Sequence, residues 1–156
     1  MTQTPPSQFE QRIPARVLLI EANEHVARHC MTLLQQVERL DPLRVISEAA
    51  AFEKINSWHP QLLVIGDAVA GISGQELCSK IRLNSTIPII FLTKHSDALH
   101  QLQCLNTGAD DCIAFPFEAP IYIGRILCLI RRAYRYSRPP RPEAPRGAAQ
   151  FQQNSK

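Results

Sequence analysis

The sequence predicts an α/β protein with a five-stranded, doubly wound parallel sheet in a (βα)5 order. Five short apolar runs recur along the chain, and each is followed by a segment whose apolar residues lie three to four positions apart. Because the runs are apolar at successive positions, both faces of their strands should be buried, as they are in sheets covered by helices on each side. The strand–helix–strand repeat indicates parallel pairing.

Each predicted element is bounded by residues that interrupt regular structure. The strands are predicted at 16–20, 43–46, 62–65, 87–92 and 112–115. The helices are predicted at 26–40, 50–58, 74–83, 99–105 and 121–136, and residues 71–74 are expected to form a loop. Asp41-Pro42 should break the first helix, and Pro60 follows the second. Gly108 should end the fourth helix, and Pro120 suits the first turn of the fifth.

Composition divides the chain into three parts. Residues 1–14 contain three prolines and are expected to form a flexible lead, residues 15–136 one folded domain, and residues 137–156 a tail or linker rich in Pro and Arg. The net charge is +3, but residues 131–156 carry seven basic residues against one acid. A basic tail of this kind can contact nucleic acid or an acidic partner, or can simply be solvated.

The sequence has the pattern of neither a membrane protein nor a conventional enzyme. No apolar run approaches the length of a membrane span, and no G-x-S-x-G, P-loop or G-x-G-x-x-G motif occurs. The five cysteines form no C-x-x-C pair, which indicates reduced thiols in a cytoplasmic protein. His25 and His29 lack the spacing of a zinc motif. We therefore expect no catalytic residue, metal, cofactor or membrane partner.

Four motifs resemble the receiver domain of two-component response regulators. They are PQLLVIGD at 60–67, GISGQELC at 71–78, IPIIFLT at 87–93, and GADD at 108–111 ahead of Pro116-Phe117. The resemblance extends from Arg16 to Arg132 and implies the flavodoxin-like receiver fold. Its last helix, with Arg125 and Arg131-Arg132, is most similar to receivers that are coupled to a winged-helix DNA-binding domain.

The resemblance implies a site for phosphoryl transfer at the carboxyl ends of the strands, where doubly wound sheets bind ligands. Receivers place there an acceptor Asp, two acids that hold Mg²⁺, a Lys and a Ser or Thr that bind phosphoryl oxygens, and a switch aromatic. Only two of these positions are retained here, as Glu21 and Thr93. The others are Gly66 for the acceptor, Ala22 for the second acid, Phe115 for the Lys and Cys112 for the aromatic. The resemblance therefore implies a degenerate receiver, or pseudo-receiver, without phosphoryl transfer by the usual route.

Three residues at this site each allow more than one interpretation. Asp67 follows the acceptor position and could be phosphorylated instead, but alternation along a strand should turn it away from the pocket unless the loop bulges there. Lys94, beside Thr93, could replace the missing Lys or be a solvated residue at the rim. Phe115 could fill the former pocket or simply pack in the core.

The resemblance also implies a partner surface on the fourth helix, last strand and last helix, through which related receivers dimerise. Asp111, Arg125 and Arg132 match positions that form ion pairs there, and Ile121 and Tyr122 (with Leu127) could add apolar contact. The alternative for Asp111 and Arg125 is an ordinary intrachain pair. We expect a homodimer and a protein partner in a signalling pathway.

Three functions are compatible with the sequence. The first is a phosphorylation-independent regulatory interaction module, in transcription control through homodimerisation or partner binding. The second is a phospho-accepting regulator that uses Asp67 with Mg²⁺. The third is nucleic-acid contact through the basic tail, although no winged-helix sequence follows it and direct DNA binding by this chain is not expected.

Overall fold

A five-stranded parallel sheet forms the centre of the molecule, with strand order β2-β1-β3-β6-β7. The computed structural model describes residues 13–137. The sheet strands are β1 (Ala15–Ile20), β2 (Leu40–Val45), β3 (Leu62–Gly66), β6 (Ile89–Thr93) and β7 (Asp111–Ala114). A small antiparallel hairpin, β4 (Ala68–Val69) and β5 (Ile72–Ser73), follows β3. The predicted doubly wound α/β fold is confirmed.

Among the described residues, four helices connect the strands and a fifth follows β7, and each of the first four begins at a capping side chain. They are α1 (Glu24–Gln35), α2 (Glu48–Trp58), α3 (Gly74–Arg82), α4 (Ala98–Asn106) and α5 (Ala119–Ser137). Each of the first four is preceded by a residue whose side chain accepts a backbone N–H of the first turn: Asn23, Ser47, Ser73 and Asp97. Such caps satisfy donors that the helix itself leaves free, so they fix where each helix starts.

The core consists of two apolar layers, one on each face of the sheet. Along β1, Val17 and Leu19 belong to the layer under α1 and α5, whereas Leu18 and Ile20 belong to the layer under α2, α3 and α4. This division follows from the alternation of side chains along a strand. No helix among residues 13–137 has the length and apolar character needed to span a bilayer. All five cysteines are free thiols, as predicted.

Several element boundaries differ from the prediction. Helix α1 ends at Gln35, and Leu40, which the apolar spacing places in that helix, instead opens β2 opposite Ala15. Pro42 lies within β2, which is tolerated because β2 is an edge strand. Strand β6 begins two residues later than predicted and β7 one residue earlier. The predicted loop at 71–74 contains β5 and the start of α3.

The predicted outer segments fall largely beyond the described residues. The predicted N-terminal lead covers 1–14 and the predicted tail covers 137–156, whereas the structure describes residues 13–137. Their assignment as flexible or linker segments stays a prediction.

Candidate functional site

A cleft lies where the carboxyl ends of β1, β3, β6 and β7 meet. Its volume is about 340 Å³, and its lining residues are Glu21, Val26, Asp67, Ala68, Leu92, Thr93, Lys94, His95 and Phe115. The structure thus brings together most of the residues that the sequence placed at this site. Ala22 is not among the lining residues, and Gly66 lies beneath the Glu21 side chain.

The space above Gly66 is occupied by the carboxylate of Glu21. A Cβ atom added to Gly66 would collide with Oε2 of Glu21 and would lie 2.6 Å from its Cδ. Any side chain at position 66 would therefore have to displace Glu21. The side chain from the end of β1 takes the volume that an acceptor at the end of β3 would need.

Glu21 is only 2% exposed, and its environment favours the protonated form. Burial raises the pKa of the carboxyl, because a charge loses hydration in the interior. The backbone N–H of Asn23 opposes this effect by donating to Oε1 at 2.8 Å. The negative charge of Asp67 raises the pKa further, and Lys94 and Arg44 lower it.

The prediction that Asp67 points away from the pocket is wrong. Asp67 lines the cleft, and its Oδ2 accepts a hydrogen bond from the backbone N–H of Lys94 at 2.9 Å. The reason is that β3 ends at Gly66, so the alternation of the strand no longer determines the direction of the next side chain. The carbonyl of Asp67 is held separately, by Gly74 N at 3.4 Å.

Thr93 and Lys94 form the wall contributed by the end of β6. Thr93 is buried, and its Oγ1 accepts the backbone N–H of His95 at 3.1 Å. Lys94 is exposed at the mouth of the cleft. The hydroxyl that receivers use for phosphoryl binding is therefore retained, but here it serves the backbone of its own loop.

Phe115 closes the cleft on the α1 side with an aromatic cluster. Its ring meets those of His25 and His29 edge-on, with centroids 6.1 and 5.8 Å apart, and that of Phe117 at 5.6 Å. Phe115 thus both lines the cleft and packs against the core, and no cation stands at this position. Sequence reasoning weighed the two histidines only as metal ligands and missed this role; their spacing of four residues on α1 was the available signal.

Cys112, at the position of the switch aromatic, is a buried thiol. Burial, reinforced by neighbouring Cys104, raises the pKa of Cys112 to about 12. The thiol is therefore protonated at neutral pH and acts as a small apolar side chain. It lacks the size and the polar tip with which an aromatic residue could alternate between core and surface.

The residues of the cleft do not fit a resident Mg²⁺ ion, which the receiver fold implies. Glu21 and Asp67 are the carboxylates that line it, and each already accepts a backbone hydrogen bond. Ala22, at the second acid position, offers no side-chain oxygen. Within residues 13–137 there is no group of three or more His, Cys, Asp or Glu side chains placed to hold a metal. The donor set that a magnesium-assisted phosphoryl transfer needs is therefore incomplete.

The predicted partner residues are divided between surface and core. Arg125 donates from Nη1 to Oδ1 of Asp111 at 3.0 Å, so these two form an intrachain pair. Ile121 is 45% exposed. Tyr122, predicted for the same face, is fully buried and stacks on Phe117 with ring centroids 4.4 Å apart, because one position along the helix turns the side chain inward.

The remaining predicted partner residue, Arg132, lies away from this face. It is exposed near the opposite end of the strands, beside Asp110 and Tyr134.

Helix α4 presents exposed leucines that sequence reasoning did not assign to the partner face. Leu99, Leu102 and Leu105 are exposed at a spacing of three, which places them on one side of the helix. The helix contains no Asp, Glu, Lys or Arg. We call the exposed parts of α4, β7 and α5, including these leucines, Ile121 and the Asp111–Arg125 pair, the α4–β7–α5 surface.

Comparison with known proteins agrees with the geometry. Residues 17–125 match the family model described as the response regulator receiver domain, and the chain belongs to this family. Response regulator ArlR of Staphylococcus saprophyticus is 32% identical over 117 residues, which cover 75% of this chain and 53% of that protein. Transcriptional regulatory protein CseB of Streptomyces avermitilis is 28% identical over 116 residues, covering 74% and 49%. The chain spans about half the length of these curated relatives.

Solved structures show the same fold. A crystal structure of a chain described as a response regulator, from Chloroflexus aurantiacus, has a TM-score of 0.71 and 27% identity, covering 77% of this chain and 100% of that chain. The BeF3-activated receiver domain of RstA from Klebsiella pneumoniae has a TM-score of 0.69 at 22% identity, covering 74% and 98%. The second likeness concerns the fold alone. The flavodoxin-like receiver fold that the sequence predicted is thereby confirmed.

Proposed function

We propose that this receiver domain is a phosphorylation-independent interaction module in transcription control. The observation that carries the proposal is the position of Glu21, whose carboxylate fills the space above Gly66. An acceptor side chain is absent there, and Phe115 replaces the cation that would neutralise charge during phosphoryl transfer. The similarity to a transcriptional regulatory protein and to response regulators supports transcription control as the context.

The module acts, in this proposal, by homodimerisation through the α4–β7–α5 surface. Exposed apolar side chains on a charge-free helix are characteristic of protein contact surfaces. The Asp111–Arg125 pair lies beside them and, because both side chains are partly exposed, contributes little to stability. Asp111 and Arg125 can therefore break their intrachain pair and form ion pairs with the Arg125 and Asp111 of a second copy across a two-fold axis.

Sedimentation velocity over a range of concentrations, without any phosphodonor, tests this function. The wild type should self-associate, and Leu102→Glu should shift it to monomer. Leu83→Glu is the matched control, because Leu83 is an exposed leucine at the end of α3 rather than on α4. A wild type that stays monomeric at all concentrations would exclude the dimer, and equal loss of association in both variants would exclude this surface.

A phospho-accepting regulator that uses Asp67 is the second candidate. The observation that favours it is that Asp67 lines the cleft beside Thr93 and Lys94. Against it, one carboxylate oxygen of Asp67 is committed to the Lys94 N–H, and the residues described offer no complete metal site. This candidate requires association that increases on treatment with a small-molecule phosphodonor, whereas the first requires association that does not change.

A further inference from the structure

We infer that Asp67 is a positioning residue, which holds the segment 94–97 in place and thereby sets the orientation of α4. This inference rests on the proposed function, because α4 carries the leucines of the proposed partner surface. The Asp67 carboxylate is a built-in hydrogen-bond acceptor at the carboxyl edge of the sheet. It orders the loop after β6 without a transferred group.

The first support is the single long-range hydrogen bond between this segment and the rest of the described residues. All four residues from Lys94 to Asp97 are exposed. Among the hydrogen bonds of the described residues, the bond from Lys94 N to Oδ2 of Asp67 is the one that joins the segment to a distant part of the chain, 27 residues away. The bond from His95 N to Thr93 and those of the Asp97 cap are local.

The second support is that Asp67 itself is anchored from its own side. Its carbonyl accepts Gly74 N at 3.4 Å, and the next carbonyl, that of Ala68, accepts Ala22 N at 2.7 Å. Gly74 packs so closely on the carbonyl of Gly66 that a Cβ there would collide with it. The carboxylate therefore stands on a fixed backbone, and the exposed segment is the partner that the bond orders.

The third support is the connection from this segment to α4. The ring centroids of His95 and His100 are 4.3 Å apart. Oδ2 of Asp97 caps the helix by accepting the backbone N–H of His100 at 3.0 Å. Within α4, Cys104 is the one fully buried residue. A helix with so few core contacts depends on its ends for its position, so the segment determines how Leu99 and Leu102 are presented.

The chemistry suits a carboxylate better than a neutral group. A hydrogen bond to an ionised acceptor is shorter and stronger than one between neutral groups, and it orients the N–H toward the charge. Asparagine retains an oxygen acceptor of the same shape but loses the charge, whereas alanine loses both. The two variants therefore separate the hydrogen bond from the charge.

Amide hydrogen exchange by NMR on the full chain tests the inference, with Asp67→Ala, Asp67→Asn and Asp41→Ala compared with wild type. Asp41 is exposed on β2 and serves as the control. In Asp67→Ala we expect exchange at Lys94 and in the first turn of α4 to rise about tenfold, which is the loss of one charge-assisted hydrogen bond. Asp67→Asn should restore only part of the protection, because it keeps the acceptor oxygen but loses the charge, and β1 amides should not change in any variant.

Unchanged exchange at Lys94 in Asp67→Ala would overturn the inference. An equal rise throughout the sheet would also overturn it, because that result indicates a general loss of stability rather than positioning. The test is separate from that of the proposed function. Exchange at the Lys94 amide reports the hydrogen bond to Asp67 in a monomer as well as in a dimer. It is measured in protein that has not been treated with a phosphodonor.

Discussion

The cleft at the carboxyl edge and the α4–β7–α5 surface have opposite characters. In the cleft, three side chains each accept a backbone N–H of the same chain: Glu21 from Asn23, Asp67 from Lys94, and Thr93 from His95. On the surface, leucines of α4 are left exposed, with Leu102 54% accessible. This difference is the one that the proposed function requires: cleft oxygens that serve the backbone of the chain, and apolar side chains that remain open to solvent.

The largest expected loss of stability comes from comparing two adjacent residues of α5, one in the core and one on the surface. Tyr122→Ala should lower the free energy of unfolding by about 3–5 kcal/mol, because it removes a fully buried ring that stacks on Phe117. Ile121→Ala should change it by about 0.5 kcal/mol or less, as expected for an exposed side chain. Urea denaturation followed by circular dichroism measures both values. Similar costs for the two variants would contradict the division between buried and exposed faces.

The next effect tests whether Glu21 fills the acceptor position. Gly66→Ala should destabilise the protein by about 1–3 kcal/mol, because the new methyl group displaces the Glu21 carboxylate and leaves the Asn23 N–H without its acceptor. Gly124→Ala is the control: nothing lies within 4 Å of its added Cβ, so this helical position should gain about 0.5–1 kcal/mol.

The double variant Glu21→Ala/Gly66→Ala sharpens the same test. Removing the Glu21 side chain vacates the space, so the cost of Gly66→Ala should be smaller in that background, and the double variant should lose less stability than the two single variants added together. Additive costs would show that the two positions do not compete for one volume.

A smaller effect follows from the raised pKa of Glu21. Burial makes the folded protein bind a proton at a higher pH than the unfolded chain does, so the charged carboxylate lowers stability at neutral pH. Glu21→Gln should therefore be more stable than wild type at neutral pH, because the amide has no charge to desolvate and still offers an oxygen to Asn23 N. The difference in the free energy of unfolding between Glu21→Gln and wild type should narrow as the pH falls through the pKa of the folded state. It should close near 4.5, the pKa of the unfolded chain. Unfolding curves across this range check the sign, and a difference that widens on acidification would contradict it.

The smallest effect concerns the Asp111–Arg125 pair. Both side chains are partly exposed, so Asp111→Asn should cost about 1 kcal/mol or less, and the cost should shrink in high salt. If the pair exchanges across a dimer, the same substitution should weaken self-association more than it weakens folding. Denaturation and sedimentation of one variant compare the two effects, and an association constant equal to that of the wild type would restrict the pair to an intrachain role.

The fold could be predicted from the sequence because its signals are local. Apolar runs such as 62–65 determine buried strands, and capping residues such as Ser73 determine where helices begin. Boundaries were less predictable where tertiary pairing decided them. Leu40 continues the apolar spacing of α1 but forms β2, because it pairs with the distant Ala15.

The candidate site was predictable in its members but not in its contacts. The motifs aligned Glu21, Thr93 and Phe115 at the strand ends, and the structure brings these three to one cleft, with Gly66 beneath the Glu21 side chain. No sequence pattern states that a side chain from β1 fills the space over β3. Nor could alternation predict Asp67, because it lies one residue beyond the end of β3.

Intact-mass spectrometry of the full chain after incubation with a small-molecule phosphodonor and Mg²⁺ tests phosphorylation independence most directly. We predict an unchanged mass for the wild type, alongside a receiver with a complete acceptor site that gains one phosphoryl group under the same conditions. A stable gain of one phosphoryl group by the wild type, abolished by Asp67→Asn, would contradict phosphorylation independence.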